Sequence, residues 1–289
     1  MATPFMNKLF TEFMDTRKTT ESSAREYLRR LTIANCNEPF SNLKFLNDKA
    51  GVMECLKKYK PNTKKSILTA IVSVTRLLKM DEVCKKYYED MMEAGTPETP
   101  DKSETQKENW MEWDEVLKIK NELHANMKSW EDRVKYFLVC LYTDIPPRRN
   151  LDYIEMEVVP KYSDSLPKTQ NYLALADNEM IFNIYKTSKH YGEQKLPLNA
   201  ELRKALDEYL KYHPLKRQKT FPLLVNTYGT KYETSGAITI MLNRIFKKKV
   251  GASMLRHIYL SNKYNITEME KDAEAMGHSL TEQREYLKK

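Results

Sequence analysis

The sequence predicts a mainly helical chain of two domains, with one small antiparallel β-sheet confined to the second. Three observations carry that expectation. Apolar residues recur at helical spacing through most of the chain, as in SILTAIVSVTRLLKM (66–80) and ELRKALDEYLKYH (201–213). The helical period breaks once: NYLALADNEMIFNIYK (171–186) holds two strand-like runs split by Asp177-Asn178, and a third, EQKLPL (193–198), follows Gly192. Finally, MEAGTPETPDKSETQKE (92–108) is rich in Pro, Thr, Ser and Glu and has no apolar period, so it reads as a linker.

Taken in order, residues 1–92 read as a bundle of four or five helices. TESSAREYLRRLTIA (20–34) opens with a Thr/Ser capping signal. Residues 93–108 form the expected linker, and 109–289 the second domain. There WMEWDEVLKIKNELHANM (110–127) and WEDRVKYFLVCLYT (130–143) read as helices, followed by the three short strands. The helical pattern resumes in 201–213, SGAITIMLNRIFKKK (235–249), SMLRHIYLSNKY (253–264) and EMEKDAEAMG (268–277).

Composition bounds the function. At 289 residues with 41% hydrophobic and 30% charged content, the chain can bury a core in each domain and is not of disordered type. No run approaches the roughly 18 apolar residues of a membrane span, and the opening MATPFMNKLF lacks a signal-peptide core. Cys36, Cys55, Cys84 and Cys140 stand far apart with no CxxC pair, so neither a disulfide framework nor a zinc site is expected. A reducing, intracellular location follows. The net charge of +8 divides into +6 over 1–92, −3 over 93–108 and +5 over 109–289. Two basic blocks suit a polyanion, because each cation set against a phosphate releases counterions.

Four stretches hold the residue types that phosphoryl chemistry uses. PPRRNLDY (146–153) sets Arg148 and Arg149 near Asp152, and YKTSKHYGEQKLPL (185–198) carries Lys186 and Lys189. SMLRHIYLS (253–261) carries Ser253, Arg256 and His257, and GHSLTEQREY (277–286) carries His278 and Tyr286. Each stretch also has an ordinary reading as solvated charge or a structural histidine. Together they match one task. Breaking a phosphodiester without a metal needs a nucleophile, cations on the non-bridging oxygens and an acid for the leaving oxygen. Guanidinium is suited to the second role, since it is planar, permanently charged and bidentate towards phosphate.

In this order the residues resemble the tyrosine recombinase (phage-integrase) family over most of 109–289. MGHSLTEQREY is similar to the family's Leu-Gly-His segment and terminal nucleophile, which implies His278 and Tyr286. SMLRHIYLS resembles the His-x-x-Arg-His box, implying Arg256 and His257, with Ser253 where the family has its first His. RRNLD resembles the first arginine with its acid three residues on, implying Arg149 and Asp152, with Arg148 as the rival. NIYKTSK resembles the segment bearing the general-acid lysine, implying Lys186, with Lys189 as the rival. The resemblance implies a clamp on duplex DNA, made of a helical core-binding domain and an α+β catalytic domain. Tyr286 would attack phosphorus to form a 3′-phosphotyrosyl link and free a 5′-hydroxyl. Arg149, Arg256 and His278 would hold the equatorial oxygens while Lys186 protonates the leaving oxygen. No metal or other cofactor is implied. The implied assembly is a homo-oligomer, a dimer per site and a tetramer on paired sites, associated with DNA in cytoplasm or nucleus. The implied role is integration or excision of a viral or mobile-element genome. Two other readings use the same residues: a type IB topoisomerase, and a decayed scaffold that only binds DNA.

Overall fold

The structure is a computed structural model and describes residues 2–95 and 102–264. The chain divides into two compact units, Met1–Asp101 and Lys102–Lys289. The first is helical: α1 (Pro4–Arg17), α2 (Glu21–Ala34), α3 (Lys49–Leu56), α4 (Pro61–Leu77) and α5 (Asp81–Glu93), with a short 3₁₀ turn at Lys44–Asn47. Capping fixes where helices start. Thr3 and Thr20 accept from the backbone amides of Met6 and Ser23, and Pro61 opens α4 where its missing N–H costs nothing. Helical spacing buries Ala24, Leu28 and Leu31 of α2 against Ile67, Leu68, Ile71 and Val74 of α4. Buried Tyr87 of α5 reaches across to donate to the Leu46 carbonyl at 2.9 Å. One expectation is corrected here: Cys36 and Cys55 are joined in a disulfide, with Cα atoms 5.1 Å apart. Nineteen residues of separation hid this pair, because the α2–α3 connection folds back on itself.

The second unit has helices α6 (Glu104–Asn109), α7 (Trp113–Ala125), α8 (Trp130–Thr143) and α9 (Asn150–Ile154), then strands β1 (Met156–Val159), β2 (Asn171–Ala174) and β3 (Glu179–Phe182). There follow α10 (Ser188–Tyr191), β4 (Gln194–Pro197), α11 (Ala200–Lys211), β5 (Phe221–Pro222), α12 (Ser235–Phe246) and α13 (Ala252–Lys263). Helix α6 falls inside the stretch read as a linker, where Ser103 and Gln106 form a reciprocal capping box. Segment 268–277, read as helical, lies outside the described residues.

The sheet departs from the expected one. It has five strands in the order β4-β3-β2-β1-β5, and β1 pairs with β2 in parallel, so it is mixed rather than antiparallel. MEVV follows α9 after one residue, too short a run to announce a strand, and β5 has two residues. The Asp177-Asn178 turn is as read, with Asn178 at φ 54°, a left-handed conformation that Asn tolerates. α8 runs through the centre of this unit, burying Phe137, Leu138, Val139, Cys140, Leu141 and Tyr142. It packs on α7, α11, α12 and α13. Residues buried on all sides explain why α8 is apolar around much of its circumference.

His213, just beyond α11, is 1% exposed among Trp130, Tyr209 and Phe221. Its Nδ1 accepts from the Leu215 amide at 3.2 Å, so the ring is held as a neutral imidazole. Burial pushes its pKa down to about 4. The unfolded chain therefore binds this proton more readily than the folded one, and stability falls as pH drops from about 6.5 through about 4. Urea melts across that range should show the loss in the parent chain, and His213→Phe should flatten the difference. Parallel profiles for the two proteins would refute the assignment.

Candidate active site

Between α8 and α9 the chain cannot continue as helix. Pro146 and Pro147 lack amide donors, and proline bars helical backbone in the residue before it. The break turns the chain so that Arg149 becomes the N-cap of α9, at φ −77° and ψ 150°, with Asp152 one turn in. The arginine doublet is then split in use. Arg148 Nε donates to Asp152 Oδ2 at 3.0 Å, and its Nη1 donates to Gln194 Oε1 of β4 at 2.9 Å. Its guanidinium lies over the Phe182 ring at 3.8 Å and the Tyr185 ring at 4.9 Å. Arg149 makes no side-chain hydrogen bond among the described residues. The acid three residues beyond Arg149 thus bonds Arg148, one helical turn away at i, i+4.

Burial raises the Asp152 carboxyl above the ordinary carboxylate range, and the charge and hydrogen bond of Arg148 are the main opposing influences, followed by the charge of Arg149. The Asp152 side chain is 4% exposed and that of Arg148 is 19%. Removing one partner of so enclosed a pair strands the other charge, at about 3–5 kcal/mol.

Four hydrogen bonds fix α9. Asn150 Oδ1 accepts from Tyr142 of α8 at 2.6 Å, and its Nδ2 donates to Ser235 O and Thr239 Oγ1 of α12 at 2.9 and 3.0 Å. Tyr153 donates to the Leu141 carbonyl at 3.0 Å. Asn171, at the start of β2 and fully buried, does more. Its Nδ2 donates to Asp152 O and Ile184 O, and its Oδ1 accepts from the Asn183 and Ile184 amides, all at 2.9 Å. One side chain so joins the arginine-bearing helix to the segment that leaves β3.

That segment bears the two lysines, and here the structure changes the picture. β3 ends at Phe182, four residues before Lys186, so no strand directly carries that lysine. Lys189 lies on the single helical turn α10. Both are exposed, and neither lines the cleft described below. On α13, Met254, Leu255 and Ile258 face the core, leaving Arg256 half-buried and Ser253 and His257 exposed.

A cleft of about 220 Å³ gathers Arg148, Arg149, Asp152 and Arg256. Tyr185, Thr187, Tyr191 and Gln194 complete its walls along with Pro147. Sequence reading singled out the arginines and Asp152 and missed the rest. Gln194 had one visible signal, its place at the start of the strand after Gly192, where it pairs with Phe182. Ser253 and His257 do not line the cleft, and His278 and Tyr286 lie outside the described residues. Three guanidinium groups around one carboxylate leave a surplus of two positive charges. Such a cleft is built for an oxyanion such as phosphate. Among the described residues, no three His, Cys, Asp or Glu side chains are grouped to hold a metal ion.

No family model matches the chain, and no curated protein matches it. Among solved structures, the crystal structure of XerA recombinase is similar to it at 16% identity and a TM-score of 0.39. The alignment covers 96% of this chain and 91% of that one. The likeness is weak.

The Asn171 contacts yield a test. Asn171→Ala would orphan buried carbonyls and amides on both segments, each costing about 1–3 kcal/mol. The expected loss in a denaturant melt is about 3 kcal/mol or more, near the top of the usual range for single substitutions. A loss below about 1 kcal/mol, typical of an unremarkable site, would show that the two segments are held by other contacts.

Proposed function

We propose that this chain cleaves and rejoins DNA strands by the tyrosine recombinase scheme, in the service of integrating or excising a viral or mobile-element genome. The observation that carries the reading is the gathering of Arg148, Arg149 and Arg256 around one cleft from positions over a hundred residues apart. In the scheme a scissile phosphate sits in this cleft. Arg149 and Arg256, whose guanidinium groups have no hydrogen-bonded partner among the described residues, hold its non-bridging oxygens. Arg148, held by Asp152 and Gln194, supports them from behind. Tyr286 is the nucleophile, His278 a further oxyanion donor, and His257 a supporting base. Lys186 or Lys189 protonates the leaving 5′-oxygen. The basic first unit and the second unit together grip duplex DNA, and a dimer on each of two sites pairs into a tetramer.

A suicide duplex, nicked so that the cleaved end diffuses away, tests the scheme through a covalent adduct. The wild-type chain should form the adduct in EDTA, and Tyr286→Phe should abolish it while leaving duplex affinity nearly unchanged. Arg149→Ala should slow adduct formation on the order of a hundredfold, as for other preorganised oxyanion contacts. Arg148→Ala should in addition lower stability, because Asp152 loses its partner. An adduct of normal yield from Tyr286→Phe would end this proposal. Relaxation of supercoils by a monomer without strand exchange would move it to a topoisomerase.

The acid is assigned with a strand whose bridging 5′-oxygen is sulphur. A thiolate leaves without a proton, so the variant lacking the acid recovers on that strand while staying slow, by about 10²–10⁴-fold, on normal DNA. Lys186→Ala is expected to show this rescue. Rescue of Lys189→Ala instead would assign the proton to α10, and rescue of neither would exclude both lysines.

A further inference from the structure

We infer that Tyr191 is a stacking platform for the base of the nucleotide whose phosphate the cleft holds. The cleft would then take a strand with an unpaired base at that point, either single-stranded or a locally opened duplex. The inference rests on the proposed function and deepens it, since nothing above assigns any group to the base. Tyr191 lines the same cleft as the three arginines and remains 62% exposed. A largely exposed aromatic ring beside a cluster of cations offers what a nucleotide needs: charge for the phosphate and a π-surface for the base. Tyr185, the cleft's other tyrosine, is already used, because Arg148 lies over its ring and its hydroxyl donates to the Gly192 carbonyl at 2.8 Å. Tyr191 and His190 stand nearly perpendicular, with ring centroids 4.5 Å apart and an 82° interplanar angle. No hydrogen bond of the Tyr191 hydroxyl is found among the described residues.

The backbone that carries this ring is anchored. The Tyr191 amide donates to Thr187 O at 3.2 Å and the Gly192 amide to Ser188 O at 2.8 Å, closing the turn. Gly192, at φ 67°, then reverses the chain in a left-handed conformation that glycine adopts without strain. Beyond it Glu193 binds the Tyr162 hydroxyl and Lys168, at 2.8 and 2.6 Å, and Gln194 enters the sheet. The ring is therefore presented on a turn anchored at both ends, with a tyrosine's low cost in lost rotamer freedom.

The test compares two probes at one salt concentration: an oligothymidylate and an abasic oligodeoxyribose phosphate with the same number of phosphates. The full-length chain should prefer the thymidylate by about tenfold. Tyr191→Ala should lose that preference by weakening thymidylate alone, whereas Tyr191→Phe, which keeps the ring, should retain it. Arg149→Ala should weaken both probes. The inference is overturned if Tyr191→Ala keeps the preference, if it weakens both probes equally, or if Tyr191→Phe also loses it. Equal binding of the two probes by the wild type would overturn it as well. The covalent-adduct assay is read separately. Stacking can therefore fail while strand cleavage stands, and a missing adduct leaves the base preference to be judged by itself.

Discussion

A single amide side chain holds the cleft together. Asn171 is fully buried and spends its entire hydrogen-bonding capacity, two donors and two acceptor sites, on backbone groups of two different segments. One segment is α9, which presents Arg148, Arg149 and Asp152. The other is the exit of β3, which leads to Tyr185 and α10. Neither could be replaced by an apolar contact of the same shape, because the four backbone groups would be left unpaired away from water. Arg148 makes a second tie, from α9 to Gln194 on β4, and its ring contacts span the same gap. These two walls of the cleft are therefore joined by direct hydrogen bonds. Preorganised charge contributes far more to catalysis than charge that must be assembled during the reaction.

Gathering three guanidinium groups has an electrostatic cost that the fold reduces in a graded way. All three are half-buried, and Arg148 is the one given a carboxylate, an amide oxygen and two aromatic faces. Such faces stabilise cations by about 0.5–2 kcal/mol each, more as water is excluded. Arg149 and Arg256 keep their hydrogen-bonding groups uncommitted among the described residues. Their mutual repulsion, and that with Arg148, is relieved when an anion enters. The raised carboxyl of Asp152 belongs to the same balance: burial penalises its charge, and nearby arginine charge brings it part of the way back.

Much of this was legible from the residues. The helix start at Thr20 carries its own capping chemistry, and α4 and α11 display their buried faces as period. The parallel pairing of β1 with β2 was not legible, since a register between MEVV and NYLA is set by the chain between them and by the core beneath. The Cys36–Cys55 pair was hidden for the same reason, because spacing in sequence does not report how a loop folds back. In the site, the arginine doublet could be found but not resolved. The resemblance implied Arg149 with Asp152 at i, i+3, with Arg148 as the rival. The Pro-Pro break instead placed Arg149 at the cap and let Arg148 reach Asp152 at i, i+4. Tyr191 and Gln194 were missed because a hairpin turn gives no periodic signal of what it faces.

The contents of the cleft also bear on where the remaining chemistry would come from. Guanidinium groups stabilise charge but do not surrender a proton near neutral pH. The Tyr185 hydroxyl is engaged with the Gly192 carbonyl, and Asp152 is tied to Arg148. The described walls therefore offer cations, ring surfaces and the hydroxyls of Thr187 and Tyr191. In the proposed scheme, the nucleophile and the acid are brought to this rigid wall by other parts of the chain: the terminal segment with His278 and Tyr286, and the exposed turn with Lys186 and Lys189. Such a division has a physical advantage. The electrostatic part is tied in place by the Asn171 and Arg148 hydrogen bonds, so the scheme needs no charge to be assembled as the phosphate binds.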